Sequence, residues 1–326
     1  MSIIEVKNLS KTYDYYKKQP GLLASLKSLF KREKLFAEAV KAVNFTLEEG
    51  EIVGFLGPNG AGKTTTLKML SGILHPTSGE VSVLGYNPWK REPAFQKQFG
   101  LVMGQKSQLW FDLPALDSFI LQKEIYEVSD EDYKMRIDEL VKLLGVEDVL
   151  DKQVRKLSLG ERMKCELLMS LIHNPKVLFL DEPTIGLDVI SQKSVRDFIK
   201  KYNQLNKTTI ILTSHYMADI KELCKRVVLI DHGVIVYDGL LSELIVKYAP
   251  HKDIKVIFAD GEIKKESLLE FGAVLEFSAH SAVVRVDRDR AKEAAAKILS
   301  SDLPVEDIEI KEEDISAVIG EVFKNK

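Results

Sequence analysis

The chain has 326 residues, with 46 lysines and arginines against 49 aspartates and glutamates, and 45% of its residues are hydrophobic. This length suggests two domains, and the apolar fraction is too high for a disordered chain. No apolar run approaches the roughly 18 residues of a membrane-spanning helix, and we expect no signal peptide at the first residues. Cys165 and Cys224 lack metal-ligand spacing. Secreted, membrane-spanning and zinc-binding classes are therefore disfavoured.

The first ~240 residues alternate short apolar runs with segments of helical periodicity, which predicts an α/β domain. Between Ser107 and Leu157 the periodicity is almost wholly helical, so we expect a helical subdomain over about 107–160, inserted into the α/β core. The predicted strands are Ile3–Val6, Phe45–Leu47, Ile52–Leu56, Val81–Val83, Val177–Leu180, Thr209–Thr213, Val227–Ile230 and Val234–Tyr237. The predicted helices are Gly62–Leu74, Asp117–Tyr126, Glu131–Leu144, Glu161–His173, Ser191–Gln204 and Met217–Cys224.

A second, smaller pattern follows a linker around Pro250, which separates a domain over 1–247 from one over 253–326. Its order of elements predicts a compact α+β domain, and the ferredoxin-like motif is one arrangement with this order. We expect a regulatory or dimerising role, with a stabilising appendage as the alternative. The predicted strands are Ile254–Phe258, Ala273–Phe277, Ala282–Val286 and Val305–Ile310, and the predicted helices are Lys265–Leu269, Asp289–Ser300 and Glu313–Phe323.

The segment after the predicted strand Ile52–Leu56 is a candidate phosphate-binding loop. It matches G-x-x-x-x-G-K-[ST] and leads into a predicted helix, so its backbone N–H groups and the helix amino terminus are expected to hold phosphate. Lys63 is expected to reach the β- and γ-phosphates, and the Thr64 hydroxyl to bind Mg²⁺. The strand–helix context disfavours a chance glycine-rich turn. The nucleotide-binding residues are Gly57, Pro58, Asn59, Gly60, Ala61, Gly62, Lys63, Thr64 and Thr65.

Two carboxylates end the predicted strand Val177–Leu180 and complete a candidate phosphate site. Asp181 is expected to bind Mg²⁺, as in other phosphate-loop hydrolases. Glu182 lies one residue further on, where it could orient or deprotonate an attacking water. Solvent-facing acids at a strand end are the alternative, which the phosphate-binding loop disfavours.

The sequence Leu157-Ser158-Leu159-Gly160-Glu161, ahead of a predicted helix, resembles the LSGGQ signature of the ATP-binding cassette ATPases. The phosphate loop, glutamine loop, signature, Asp-Glu strand, Asp loop and switch histidine also occur in the order of that family. The resemblance covers about residues 1–245. It implies ATP hydrolysis, with ATP and Mg²⁺ as ligands, by two cassettes that close around ATP.

The resemblance implies roles for four further residues. Tyr13, with two tyrosines close after it as competitors, matches the aromatic residue that stacks on adenine. Gln105 matches the glutamine that contacts Mg²⁺ and the nucleophilic water. Asp188 matches the aspartate at the interface between cassettes, and His215 matches the switch histidine that contacts the γ-phosphate.

The signature contains both matches and departures. Ser158 and Gly160 match the residues that bind the γ-phosphate held by the opposite subunit. Leu159 replaces the first glycine of the signature, and Glu161 replaces its glutamine. Because the phosphate-contacting pair is intact, we expect hydrolysis to persist and the affinity of the closed dimer to change.

The resemblance also implies partners. Most proteins of this family drive membrane transporters, so we expect separate integral membrane permease subunits and a second cassette. We expect a homodimer, with a heterodimer as the alternative. The expected location is the cytoplasmic face of the inner membrane, and we expect no nucleic acid as a partner. Residues 104–114 and the insert over 16–39 look like those of bacterial ABC-2-type exporters, among which a C-terminal extension is also common. An importer ATPase, and a soluble ATPase acting on the ribosome or nucleic acid, remain alternatives.

Residues 16–39 form a predicted amphipathic insert. Seven basic and two acidic side chains lie within residues 17–41, and residues 22–34 could meet an anionic membrane surface or a membrane subunit. Packing on the cassette's own core is the alternative, and a gate for an exported glycan is a third interpretation, implied by the resemblance. The apolar side chains of the predicted helical face are Leu22, Leu23, Leu26, Leu29 and Phe30.

Overall fold

The structure is a computed structural model that describes residues 2–16, 34–104, 106–259, 263–312 and 315–324. The chain divides into two compact units, Met1–Gly239 and Leu240–Lys326. This boundary precedes the expected one at residue 247, because the helix Leu241–Tyr248 packs against the last helix, Ile315–Lys324. Within the described residues, none of the helices has the length and apolar character needed to cross a bilayer.

The larger unit contains a six-stranded sheet and a three-stranded sheet. The six-stranded sheet has the order β5-β6-β7-β3-β8-β9, and its first five strands run parallel. Its central strands are apolar on both faces, as expected for strands covered by helices on each side. The strands, β1 to β9 in chain order, are Ser2–Tyr16, Lys34–Glu48, Ile52–Leu56, Ser78–Val83, Phe99–Met103, Val177–Asp181, Thr209–Thr213, Arg226–Asp231 and Val234–Leu240.

The helices of the larger unit lie between these strands. The sequence predicted a helical segment over 107–157, and this is confirmed by α3, α4 and two short 3-10 turns. Strand β5 was missed because Gly100 interrupts its apolar run; glycine is needed there, since a Cβ would lie 2.7 Å from the Ser170 carbonyl oxygen. The helices, α1 to α7, are Lys63–Leu70, Pro93–Gln96, Ala115–Ile125, Asp130–Leu144, Leu159–Leu171, Val189–Asn206 and Met217–Leu223.

The three-stranded antiparallel sheet has the order β2-β1-β4 and contains a much longer hairpin than predicted. Strands β1 and β2 have 15 residues each, and their pairing continues to Tyr16 opposite Lys34. Residues 34–39 of the predicted insert are therefore strand. The far part of the hairpin escaped prediction because its side chains are mostly exposed on both faces. Residues 17–33, with the predicted amphipathic face, lie outside the described residues.

The smaller unit has a four-stranded antiparallel sheet of order β11-β12-β10-β13. Its connectivity is that of the ferredoxin-like motif, in which the first helix is shortened here to the 3-10 turn Lys265–Leu268. One apolar cluster joins the sheet to α9. The strands β10 to β13 are His251–Phe258, Ala273–Phe277, Ser281–Asp287 and Val305–Glu312, and the helices α8 to α10 are Leu241–Tyr248, Ala291–Leu299 and Ile315–Lys324.

Candidate active site

The predicted phosphate loop joins β3 to α1 in a turn that only glycine permits at two positions. A Cβ on Gly57 would lie 2.1 Å from the Ile230 carbonyl oxygen. Gly62 has a φ of 110°, and its Cβ would lie 2.5 Å from the Ala39 carbonyl oxygen. Because Gly62 is also the N-cap of α1, no side chain caps the first N–H groups of this helix. These N–H groups and the helix dipole make the loop suitable for an anion such as phosphate.

Lys63 lies inside this loop, with only 7% of its surface exposed. Its ammonium donates hydrogen bonds to the carbonyl oxygens of Gly57 at 2.7 Å and Pro58 at 3.1 Å. Burial lowers the pKa of the Lys63 ammonium, while the nearby charges of Glu182 and Asp181 oppose that change. The loop thus holds a cation where the phosphates of a bound nucleotide would lie.

Asp181, at the end of β6, accepts two hydroxyl hydrogen bonds. Thr64 Oγ1 donates to Asp181 Oδ2 at 2.8 Å, and Thr213 Oγ1 donates to Asp181 Oδ1 at 2.7 Å. The structure therefore brings together two of the three residues that the sequence assigns to Mg²⁺. A hydroxyl beside a carboxylate is an oxygen-donor set that fits this hard cation.

Glu182 follows in a strained backbone conformation with a φ of 58°. Its N–H donates to the Thr213 carbonyl oxygen and Oγ1, at 3.1 and 3.0 Å. Its carboxylate lies against His215, whose N–H donates to Oε2 at 3.2 Å and whose Nε2 is 3.1 Å from Oε1. The Glu182 side chain is only 10% exposed, and burial raises the pKa of its carboxyl group. Backbone strain at a buried acid is common where a functional group must be held in one direction.

These groups line one cleft of about 280 Å³. Lys68, Met103, Gly104 and Lys106 also line it, although the sequence did not indicate them. Their closeness in the sequence to the phosphate loop or to Gln105 is the feature from which they could have been predicted. Gln105 itself lies outside the described residues. The predicted site residues that line the cleft are Asn59, Gly60, Ala61, Gly62, Lys63, Thr64, Thr65, Asp181, Glu182 and His215.

Tyr13 does not line the cleft. It lies on the long hairpin, 40% exposed, with the Lys11 ammonium 5.4 Å from the centre of its ring. The described part of this single chain therefore does not bring Tyr13 to the phosphate loop. Its assignment to adenine stays a prediction.

Ser158 and Gly160 lie at the start of α5 and do not line the cleft of the same chain. Ser158 is the N-cap and forms a capping box, in which its Oγ accepts from the Glu161 N–H at 3.2 Å. The Ser158 N–H and hydroxyl donate to Glu161 Oε2 at 2.7 and 2.8 Å. These hydrogen bonds hold the pKa of Glu161 below its usual value. Glutamate at the position of the family's glutamine thus has a structural role.

The start of α5 packs closely on the start of α6. A Cβ on Gly160 would lie 2.4 Å from Ser191 Oγ, so glycine is required for packing as well as for any phosphate contact. Asp188 is the N-cap of α6 and accepts from the N–H groups of Ile190 and Ser191, both at 3.0 Å. These hydrogen bonds, together with the one from the Ser191 hydroxyl, lower the pKa of Asp188. The predicted interface aspartate therefore fixes the loop between β6 and α6.

Glu166 was missed by the sequence analysis. It is only 4% exposed, and its Oε1 accepts from the N–H groups of Gln108 at 2.8 Å and Leu109 at 3.3 Å, and from the Ser107 hydroxyl. Burial raises the pKa of its carboxyl group. Glu166 thus ties the signature helix α5 to the segment just after Gln105. Its signal in the sequence is an acid on the apolar face of a helix.

The fold and the cleft together define a phosphate-loop nucleotide hydrolase: a glycine-rich loop joins β3 to a helix, and β6, two places from β3 in the parallel sheet, ends in a Mg²⁺-type aspartate followed by a glutamate. Residues 40–185 match the ABC transporter family, and residues 250–311 match the EvrA-like ABC transporter C-terminal domain. The chain belongs to the family of ABC transporter ATP-binding proteins.

Three relatives are informative. The ABC transporter ATP-binding protein NatA of Bacillus subtilis is 35% identical over 66% of this chain and 87% of its own length. The linearmycin resistance ATP-binding protein LnrL of the same organism is 33% identical over 63% of this chain, but the match spans only 65% of the relative. The methionine import ATP-binding protein MetN 2 of Enterococcus faecalis is 32% identical over 76% of this chain and 73% of its own length.

A solved structure shares the fold. The ATP-binding cassette MJ0796, described as a dimer in a post-hydrolysis state bound to ADP and phosphate, has a TM-score of 0.61 and 24% sequence identity, over 73% of this chain and 98% of that chain. Family membership and the geometry of the cleft identify this chain as an ATPase that binds ATP. The predictions of the family, the fold class and ATP hydrolysis are confirmed.

Proposed function

We propose that this chain is the ATP-hydrolysing subunit of a bacterial ABC-2-type exporter, and that it works as a homodimer beneath separate membrane permease subunits. One observation supports the proposal of a dimer: the phosphate loop and the signature serine Ser158 belong to the same chain, but Ser158 does not line the cleft that the phosphate loop forms. A second copy would bring its signature helix to this chain's cleft. The amino terminus of α5 would then add a second positive helix end at the γ-phosphate.

The described residues divide the chemistry between them. The phosphate-loop N–H groups and Lys63 bind the phosphates, and Thr64 and Asp181 would hold Mg²⁺, which neutralises negative charge on them. Glu182 accepts a proton from the attacking water or orients it. His215, whose Nε2 lies 3.1 Å from Glu182 Oε1, is assigned to contact the γ-phosphate. By the resemblance, Gln105, which lies outside the described residues, is assigned to Mg²⁺ and the water, and Tyr13 is assigned to adenine.

Export is favoured over import by two features. Residues 104–114 resemble ABC-2-type exporters, and one relative is named for resistance to linearmycin. The importer alternative is supported by the methionine import relative, and it requires an extracytoplasmic binding protein as a partner. The C-terminal unit matches a domain of other ABC transporters, and we assign it a regulatory or dimerising role.

We place the protein at the cytoplasmic face of the inner membrane, held by its permease subunits and by residues 22–34. To test the second contact, the basic side chains Lys27, Lys31, Arg32 and Lys34 are changed to glutamate. This variant should keep its basal ATPase activity and co-sediment less with anionic vesicles, because the attraction depends on charge. Unchanged co-sedimentation would favour packing of this segment on the cassette itself.

Glu182→Gln tests the proposed function as a whole. The amide cannot take a proton from water, so turnover should fall by about 10²-fold or more while ATP affinity is kept. This variant should also form an ATP-dependent dimer, which ADP does not support. Near-normal turnover would remove Glu182 from its role.

The same variant, trapped with ATP and solubilised in detergent, identifies the partner by mass spectrometry of what co-purifies. Recovery of one or two polytopic membrane proteins is the expected result. Ribosomal or nucleic-acid-bound material without a membrane protein would instead support the soluble ATPase, whose turnover RNA or DNA would stimulate with strong salt dependence.

A further inference from the structure

A buried aspartate, Asp219, is hydrogen-bonded to the two loops that carry Glu182 and His215. Asp219, on α7, has no exposed surface. Its Oδ2 accepts hydrogen bonds from two hydroxyl groups, those of Thr184 and Ser214, the latter at 2.6 Å. Its Oδ1 accepts from Arg196 Nη1 at 3.1 Å. Each of these partners is itself almost fully buried, so the four side chains form a closed polar cluster in an otherwise apolar region.

Both residues that supply these hydroxyl groups are close along the chain to a residue with a proposed role in hydrolysis. Thr184 follows Glu182 by two residues, with Pro183 between them, and Ser214 immediately precedes His215. A single carboxylate oxygen therefore joins the loop that carries Glu182 to the loop that carries His215. The two loops also meet through the Glu182–His215 contacts at 3.1 and 3.2 Å.

The charge of the cluster is matched. Arg196 neutralises Asp219 from α6, and its Nε donates to Glu222 at 3.0 Å. An ionised carboxylate can only accept hydrogen bonds, so both hydroxyl hydrogens must point at Asp219. Leaving any member of such a cluster unpaired costs far more than an exposed hydrogen bond. The cluster therefore allows one arrangement of the two loops and opposes others.

We propose that Asp219 is a positioning residue for ATP hydrolysis, which fixes the Glu182 carboxylate relative to His215 through Thr184 and Ser214. The inference rests on the roles proposed above for Glu182 and His215. Asp219 contacts neither the phosphate loop nor the cleft, so it acts on turnover and not on nucleotide binding. A small displacement of the Glu182 carboxylate is enough to slow hydrolysis, because a misplacement of about 1 Å can reduce a rate by about 10²-fold.

Asp219→Asn tests this. The amide keeps the shape of the side chain but removes the charge that pairs with Arg196. If the amide oxygen stays on Arg196, the NH₂ group faces the two hydroxyl groups, which must rotate to accept instead of donate. If the amide is turned round, its NH₂ group meets Arg196 as donor against donor. We expect kcat for ATP to fall by about 10- to 100-fold, with KM for ATP changed less than about twofold. Ser214→Ala keeps Asp219 charged but removes the hydrogen bond to it, together with the one that Ser214 Oγ accepts from the Tyr216 N–H at 3.0 Å, and should give a smaller loss of kcat in the same direction. Both are measured on the full chain by phosphate release, per folded molecule.

The matched control is Asp238→Asn. Asp238 forms a bidentate ion pair with Arg226 at 2.8 and 2.9 Å on neighbouring strands of the same unit, away from the cleft. This variant should lower the melting temperature and leave kcat unchanged. An equal loss of kcat in Asp238→Asn and Asp219→Asn would show a general effect of destabilisation and would overturn the inference. If Asp219→Asn does not fold, the comparison is made with Ser214→Ala.

Glu182→Gln, measured in parallel, separates the two proposals. If Glu182→Gln has lost turnover while Asp219→Asn and Ser214→Ala match the wild type, the positioning role is wrong and the role of Glu182 stands. If Glu182→Gln keeps its turnover, the proposed base is wrong and the positioning role fails with it. In the Glu182→Gln background, Asp219→Asn should cause no further loss, since there is no carboxylate left to position.

Discussion

Gly160→Ala tests whether the signature glycine is fixed by packing within one chain. The added methyl group would lie 2.4 Å from Ser191 Oγ and 2.8 Å from Ser191 Cβ. Rotation of the Ser191 hydroxyl would remove the first overlap and break its 2.6 Å hydrogen bond to Asp188. It would not remove the second overlap, which requires the starts of α5 and α6 to move apart.

The expected cost follows from these contacts. Overpacking of this kind costs about 1–3 kcal/mol, and alanine regains up to about 1 kcal/mol over glycine in a helix. We therefore expect the free energy of unfolding to fall by about 1–2 kcal/mol. For a unit of this size, that lowers the melting temperature by about 2–8 °C. Thermal unfolding is followed on the nucleotide-free full chain, so that phosphate contacts play no part.

Two further variants make the measurement specific. Ser191→Gly removes both overlapping atoms, so the double variant should be more stable than the sum of the single effects predicts, by about 1–2 kcal/mol. Gly320→Ala on α10 is the control, because a Cβ there meets nothing within 4 Å and the substitution should not destabilise. The packing argument is refuted if Gly160→Ala melts at the wild-type temperature, or if Ser191→Gly restores none of the loss.

Two other predictions follow from titratable groups. Burial lowers the pKa of His173 to about 4. As the pH falls below about 6.5, His173 therefore binds a proton in the unfolded chain before it does so in the folded chain. The free energy of unfolding should decrease from there down to about pH 4, by at most about 1.4 kcal/mol per pH unit. His173→Phe, which keeps a ring against Tyr126, should lose this part of the slope in urea titrations at several pH values; an unchanged slope contradicts the argument. Glu161→Gln removes a negative charge beside Ser158 and should strengthen ATP-dependent dimerisation in the Glu182→Gln background, as measured by sedimentation; a weaker dimer would refute that repulsion.

The local motifs were sufficient to predict most of the cleft. Gly57–Thr64 and Asp181–Glu182 are each contiguous, and their neighbours along the chain set their local geometry, so the sequence alone is enough to propose them as site residues. In the parallel sheet β7 lies between β3 and β6, so the carboxyl ends of all three strands meet at one edge. Alternating strands and helices indicate a parallel sheet, and the loops at the carboxyl ends of its strands meet at one edge. The alternation is therefore enough to predict that the phosphate loop and the two acids come together.

What the sequence could not supply depends on contacts between distant segments. Asp219 looks like an ordinary acid on a short helix, and only the fold shows that Thr184, Arg196 and Ser214 surround it. The long hairpin was missed for a different reason: its outer part is exposed, so no apolar alternation marks it. The structure groups α8 with the smaller unit, earlier than the expected boundary at residue 247, because α8 packs on α10, some seventy residues further along the chain.

Thr213 shows why the acids of this site need little rearrangement. Its carbonyl oxygen and Oγ1 both accept from the Glu182 N–H, and the same Oγ1 donates to Asp181. The end of β7 thus fixes the aspartate assigned to Mg²⁺ and the glutamate assigned to water, and the next two residues, Ser214 and His215, continue this arrangement. Because β6 and β7 are paired in a buried sheet, a change in one loop must be accommodated by the other. The two acids therefore behave as one unit, and a rate change caused by Asp219 should depend on Glu182.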